Sequence, residues 1–127
     1  MSATKNTSLR NKMADNFGSL FNSGTIEIRA SDETVLVTFP LHTTAFQASA
    51  NGTIQAHASS LTTQAASAGG TAHHAVLKSS DTLDQLENLT VGVSTAHVII
   101  NNTSIAQGQD VTLLAIGWTE PIGIAAA

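Results

Sequence analysis

The hydrophobic period of this chain changes once, at Asn22-Ser23-Gly24, and that change constrains most of what it can fold into. Before it, Leu9, Met13, Phe17, Leu20 and Phe21 recur at helical spacing. After it, Ile26 and Ile28 alternate with Glu27 and Arg29, and Val35, Val37, Phe39 and Leu41 share one face of a second run. The two patterns are not interchangeable, because a helix aligns residues three or four apart and a strand aligns residues two apart. The spacing therefore predicts one short amphipathic helix over about 9–22, capped by Ser8 and stopped by Gly24, with strands from Thr25 onward. The helix stripe is expected to dock on the chain's own sheet. Residues 1–8, polar and without apolar periodicity, read as a flexible arm ahead of a single domain spanning 9–127.

Turn signals divide the rest. Ser31-Asp32-Glu33 separates the first two strands, and Pro40 places the second at a sheet edge or bulge, because proline cannot donate to a ladder. Asn51-Gly52 marks a tight hairpin turn before a strand near Thr53 to Ala58. Ser59 to Gly70 has few bulky apolar groups and reads as a long surface loop. Strands follow at about Thr71 to Lys78 and Leu89 to Val93, with Leu83 and Leu86 on a helical turn between them. The two most apolar runs, His97 to Ile100 and Val111 to Trp118, are expected in the centre of the sheet. Strict alternation puts Leu114, Ile116 and Trp118 on one face of the last strand and Val111, Leu113 and Ala115 on the other. A strand apolar on both faces needs two covers, the core on one side and either the N-terminal helix or another subunit on the other, and on the second reading Leu114, Ile116 and Trp118 are the candidate interface residues. Short strands joined by Gly, Asn and Ser turns, without a βαβ rhythm, predict an all-β fold: an antiparallel β-sandwich or jelly-roll-like domain with one short N-terminal helix.

Composition narrows the function. Only 11% of residues are charged, where an ordinary soluble domain has about a quarter. Such a surface is weakly defended against association and suits a chain that works inside an assembly. The net charge of -4, with no basic run, disfavours nucleic acid as a partner. The absence of cysteine removes disulfides and thiolate ligands. No segment has the ~20 apolar residues that span a bilayer and the N-terminus lacks an apolar leader, so cytoplasmic assembly without a membrane partner is expected.

The search for chemistry finds little. The nucleophile-elbow, dinucleotide, P-loop and zinc-protease motifs are all missing, and no catalytic residue or cofactor is assigned. His42, His57, His73, His74 and His97 could in principle converge on a borderline metal. Neighbours on a strand point to opposite faces, however, so His73 and His74 are not expected to share a metal, and no metal site is assigned. Asp81, Asp84 and Glu87 lack the order of a calcium loop and read as the solvated side of an amphipathic segment.

Several stretches carry a resemblance. These are Leu9-Arg10-Asn11-Lys12-Met13, Phe21-Asn22-Ser23-Gly24-Thr25-Ile26-Glu27-Ile28-Arg29, Asn88-Leu89-Thr90-Val91-Gly92, and the run from Ile99 to Leu113 around Asn102-Thr103-Ser104-Ile105-Ala106-Gln107-Gly108. Together the chain resembles small structural proteins of tailed-bacteriophage virions, of the capsid decoration (cement) type. It departs from them at His73-His74, where such proteins carry an aromatic residue. The resemblance implies a non-enzymatic subunit on the capsid surface that binds the major capsid protein, stabilises contacts between capsomers, and self-associates as a trimer or dimer. In the closing motif Ile105 is expected to enter the core, and Gly108 to supply the backbone freedom of a tight return. Two other functions fit the residues: a tail, baseplate or receptor-binding module, and a small metal-dependent β-barrel enzyme resting on the histidines.

Overall fold

The computed structural model describes residues 2–119 and 123–125. It is mostly β, with one helix packed on a curled, mixed sheet that forms a half-barrel. In chain order the elements are β1 (Ser2–Thr4), α1 (Thr7–Ser19), β2 (Thr25–Arg29), β3 (Val35–Pro40), β4 (Thr53–Gln55), a 3-10 turn (Ala58–Ser60), β5 (Thr63–Ala65), β6 (Gly70–Thr71), β7 (His74–Lys78), β8 (Gln85–Gly92), β9 (Val98–Ile100), β10 (Ser104–Ile105), β11 (Asp110–Thr119) and β12 (Gly123–Ala125).

The helix starts and stops earlier than expected. Asn6, not Ser8, is the cap, because its extended backbone lets Oδ1 accept the Leu9 amide at 2.9 Å. Leu20 and Phe21 then bond back to Phe17 and Gly18 three residues earlier, which tightens and ends the last turn. At 13 residues, α1 is too short to cross a membrane. Its buried side carries Ala14 and Gly18, followed beyond its end by Phe21; Phe17 bridges Phe21 edge-on and Trp118 by stacking, with ring centres 5.1 and 5.3 Å away. Leu9, Met13 and Leu20 remain exposed. The apolar stripe is thus wider than the core it covers. Ahead of the helix, the residues expected as a flexible arm place Ser2–Thr4 antiparallel to Gly123–Ala125 in a small separate ribbon.

The main sheet runs in the order β3-β2-β7-β8-β9-β11-β4, with β5 pairing the start of β11 beside β4. It is mixed, not wholly antiparallel: β8 and β9 run parallel over Val91–Gly92 and Val98–Ile99. A crossover helix is unnecessary because residues 93–97 form a compact bend, with Thr95 at φ +48°. Thr90 and His97 clamp that bend: His97 N–H donates to Thr90 Oγ1 at 2.9 Å, and Thr90 N–H donates to His97 Nδ1 at 3.2 Å. The curl brings the far edges together, where Ser67 N–H donates to the Leu36 carbonyl at 2.8 Å. As Pro40 indicates, β3 is an outer strand.

Inside lie Ile26, Ile28, Leu36, Phe39, Ile54, Leu77, Ile100 and Leu113, all fully buried. Alternation alone misses Leu36. A bulge pairs Ile28 with Val37 and Arg29 with Val35, so Leu36 is an extra residue turned into the core. Asn51 and Gly52, at φ +51° and +76°, form the two-residue hairpin turn. The stretch read as a long loop, 59–70, holds β5, a buried Ala66 and the first residue of β6. No helical turn forms around Leu83 and Leu86, because β8 already begins at Gln85. In the closing motif Ile105 is buried and Gly108 takes φ +82°.

Candidate interaction surface

A bulge in β11 separates the three residues expected to form one face. Leu113 pairs with Ile100 and Ala115 with Ile99, leaving Leu114 as the extra residue. Each bulge shifts the inward-outward alternation by one. Val111, Leu113 and Ile116 therefore all face the core, Trp118 packs against it beside Phe17, and Leu114 projects outward, 49% exposed. Ile116 is 2% exposed and cannot meet a partner without unfolding. Leu114 is the most open of the three, and Trp118 is half-buried. Leu114 sits with His97, Ile99, Leu61, Gln47 and Gln55 around a shallow groove of ≈ 330 Å³ on the outer side of β9 and β11.

The histidines serve local structure. His42 Nδ1 accepts the Thr44 amide at 3.1 Å, His57 Nδ1 accepts the Ser59 amide at 3.2 Å, and His97 Nδ1 accepts the Thr90 amide. In the neutral ring each therefore carries its proton on Nε2, and taking up a metal there would mean moving that proton to Nδ1 and breaking the backbone bond. His42 and His57 stack face to face, ring centres 5.4 Å apart. Among the described residues, no group of three or more His, Asp or Glu side chains is arranged to hold a metal ion. His73 and His74 do not point apart as alternation requires. His73 precedes β7, its N–H donates to the Arg29 carbonyl at 2.8 Å, and its Nδ1 lies 3.0 Å from Nδ1 of His74.

That pair ends a charged ladder on the outer face of β2 and β7 that no sequence motif announced. Lys78 Nζ meets Glu27 at 3.2 Å, Arg29 Nε donates to the same carboxylate at 3.1 Å, Arg29 Nη1 reaches Glu33 at 3.0 Å, and Glu33 meets His74 Nε2 at 3.0 Å. The register makes it: Arg29 lies opposite His74, and Thr25 opposite Lys78. Val76, on the same outward face and opposite Glu27, is only 2% exposed although it lies outside the continuous core. Long charged side chains with apolar stems can cover such a residue. Partial burial works against the charge on Glu27, but hydrogen bonds from Arg29 and Lys78 outweigh it and hold the carboxyl below its ordinary range. Glu33 is lowered by its bonds to Arg29 and then His74, and Arg29 is raised, chiefly by its bond to Glu27. The ladder lies on an open sheet face.

Asp81, Asp84 and Glu87 are exposed. Asp81 is a turn residue, accepting from Ser79 Oγ at 2.6 Å and from the Leu83 amide at 3.0 Å, which lowers its carboxyl pKa. No family model, curated protein or solved structure matches this chain.

Proposed function

We propose that this chain is a structural subunit of a tailed-phage virion, of the capsid decoration type, which binds the outside of the head and stabilises contacts between capsomers. The observation that carries the assembly role is the distribution of large exposed apolar side chains: Leu9 and Met13 on the helix, Leu20 at its C-terminal end, Leu83 on a turn and Leu114 on the sheet, in a chain only 11% charged. Apolar groups left open on several faces, with few charges to keep neighbours away, suit a protein that works by contact area repeated over many copies. The resemblance of its opening and closing sequences supplies the virion context. Its partners in this reading are the major capsid protein and further copies of itself, as a trimer or dimer, with no catalytic step, nucleic acid or membrane involved. The relation to sandwich and jelly-roll subunits belongs to the same proposal, with the curled sheet and its helix enclosing the core that two facing sheets would.

Quantitative mass spectrometry of gradient-purified particles tests it. A copy number comparable to that of the major shell protein is expected. A few copies per particle would move the role to the tail or baseplate, and absence from particles would overturn the virion reading.

A further inference from the structure

Glu33, His74 and His73 form a row of three titratable side chains whose hydrogens the geometry fixes. Glu33 stays ionised through the range in which histidine takes up a proton, because its bonds to Arg29 and then His74 hold its carboxyl below the ordinary range. A carboxylate only accepts, so Nε2 of His74, 3.0 Å away, carries a hydrogen. In the neutral ring Nδ1 of His74 is then a bare lone pair, and Nδ1 of His73, 3.0 Å from it, is the donor. That leaves Nε2 of exposed His73 without a hydrogen, the reverse of the tautomer that backbone bonds give His42, His57 and His97. The two rings stand at 87° with centres 5.2 Å apart, which matches the nitrogen separation plus the two ring radii. The nitrogens therefore meet head-on, an arrangement that suits one shared hydrogen and leaves no room for a metal at about 2.0–2.1 Å from each.

The surroundings make this contact sensitive to added protons. Lys78 and Arg29 already balance Glu27 and Glu33 on the outer face of β2 and β7. Asp32, in the same turn as Glu33, is bonded by the Thr34 amide. From β8, uncharged Thr90 lies opposite His74 and is bonded to His97, while Glu87 and Asn88 fall opposite Val76 at the bulge. No carboxylate is left over to face a charged His74. A first proton goes to Nε2 of His73, the free lone pair of the two rings, and disturbs none of these bonds. A second, on His74, sets N–H against N–H. His74 is 6% exposed, so the hydrogen on its Nδ1 is stranded unless the rings part. Held together, they join the start of β7 to a strained turn: Glu33 sits at φ +72°, and His73 N–H donates to the Arg29 carbonyl at 2.8 Å.

We propose that Glu33, His74 and His73 are a proton-operated latch, which ties the β2–β3 turn to the start of β7 while at most one of the two rings is protonated and opens when both are. Assembly of copies plays no part in it.

The test is ring-nitrogen NMR of the full chain with amide exchange read at residue 73, followed from about pH 8 to about pH 5. At the upper end His73 is expected as the Nδ1–H tautomer and His74 as the Nε2–H tautomer. On acidification His73 is expected to take its proton first. Protection of the residue 73 amide should fall roughly fivefold or more, beyond the change in intrinsic exchange, together with the protonation of His74. His73→Ala removes an exposed side chain, and with circular dichroism as the fold control it should abolish that fall. A His73 ring in the Nε2–H tautomer, His74 still neutral with protection unchanged at about pH 5, or the same loss of protection in His73→Ala would each overturn the proposal.

Discussion

Replacing Gly24 with alanine tests how the helix and the sheet are joined. Gly24 is fixed on both sides: its N–H donates to the Phe21 carbonyl at 2.9 Å, its carbonyl accepts from Leu41 N–H at 2.9 Å, and the preceding Ser23 N–H is bonded to His42 at 2.9 Å. A Cβ added there would stand 3.0 Å from the Phe21 carbonyl oxygen and well inside contact with that of Lys78. Neither obstacle is the end of a flexible side chain, so the backbone of β2 or β7 has to move. Displacing Lys78 disturbs the Thr25–Lys78 end of the ladder, at about 1 kcal/mol for a lost hydrogen bond, and overpacking adds about 1–3 kcal/mol. A loss of about 3 kcal/mol should lower Tm by roughly 10 °C in a chain of this size. Gly117→Ala, where nothing lies within 4 Å of the added Cβ, serves as the control and should stay near wild type. Chemical and thermal denaturation of the three proteins decides it. A Gly24→Ala chain within about 1 kcal/mol of wild type would refute the close approach of β7 to the helix exit.

Ser60 is fully buried, donating to the Ala45 carbonyl at 3.1 Å and accepting from His42 N–H at 3.0 Å. Ser60→Ala should therefore cost about 1–3 kcal/mol in urea unfolding, since it strands the His42 N–H, while the Ala45 carbonyl keeps its bond from His57 N–H. Glu27, Asp32, Glu33 and Asp81 all have lowered folded pKa values, so their contribution is complete above the ordinary carboxylate range and lost as pH falls through the folded values. Stability should accordingly fall on acidification below about pH 4, and Glu33→Gln should flatten that fall. Leu114→Asp should leave the melting curve within about 0.5 kcal/mol of wild type, because the side chain points outward. If it instead unfolds the protein, the bulge assignment is wrong. In a particle-binding assay, reduced binding by Leu114→Asp would assign that groove to the capsid contact.

The sequence by itself determined the division into one helix and a run of strands, the edge position of β3, the Asn51-Gly52 hairpin and the inward turn of Ile105. These are local consequences of side-chain period, of the missing proline donor and of residues that tolerate positive φ. Which side chains face outward was decided only by tertiary pairing. One extra residue reverses the alternation, and the bulges at Leu36 and Leu114 depend on strands far away in the chain, so counting by twos buried too few residues in β3 and placed Leu114 with Ile116 and Trp118. The parallel β8–β9 pair, the charged ladder from Lys78 to His74 and the meeting of His73 with His74 likewise arise from register between segments that carry no mark of one another. The exposed Leu83 shows the same division. The end of a strand at Lys78 was legible, but that five hydrogen bonds hold the leucine in solvent, and not on a helical turn against the core, was settled by where β7 ends and β8 begins.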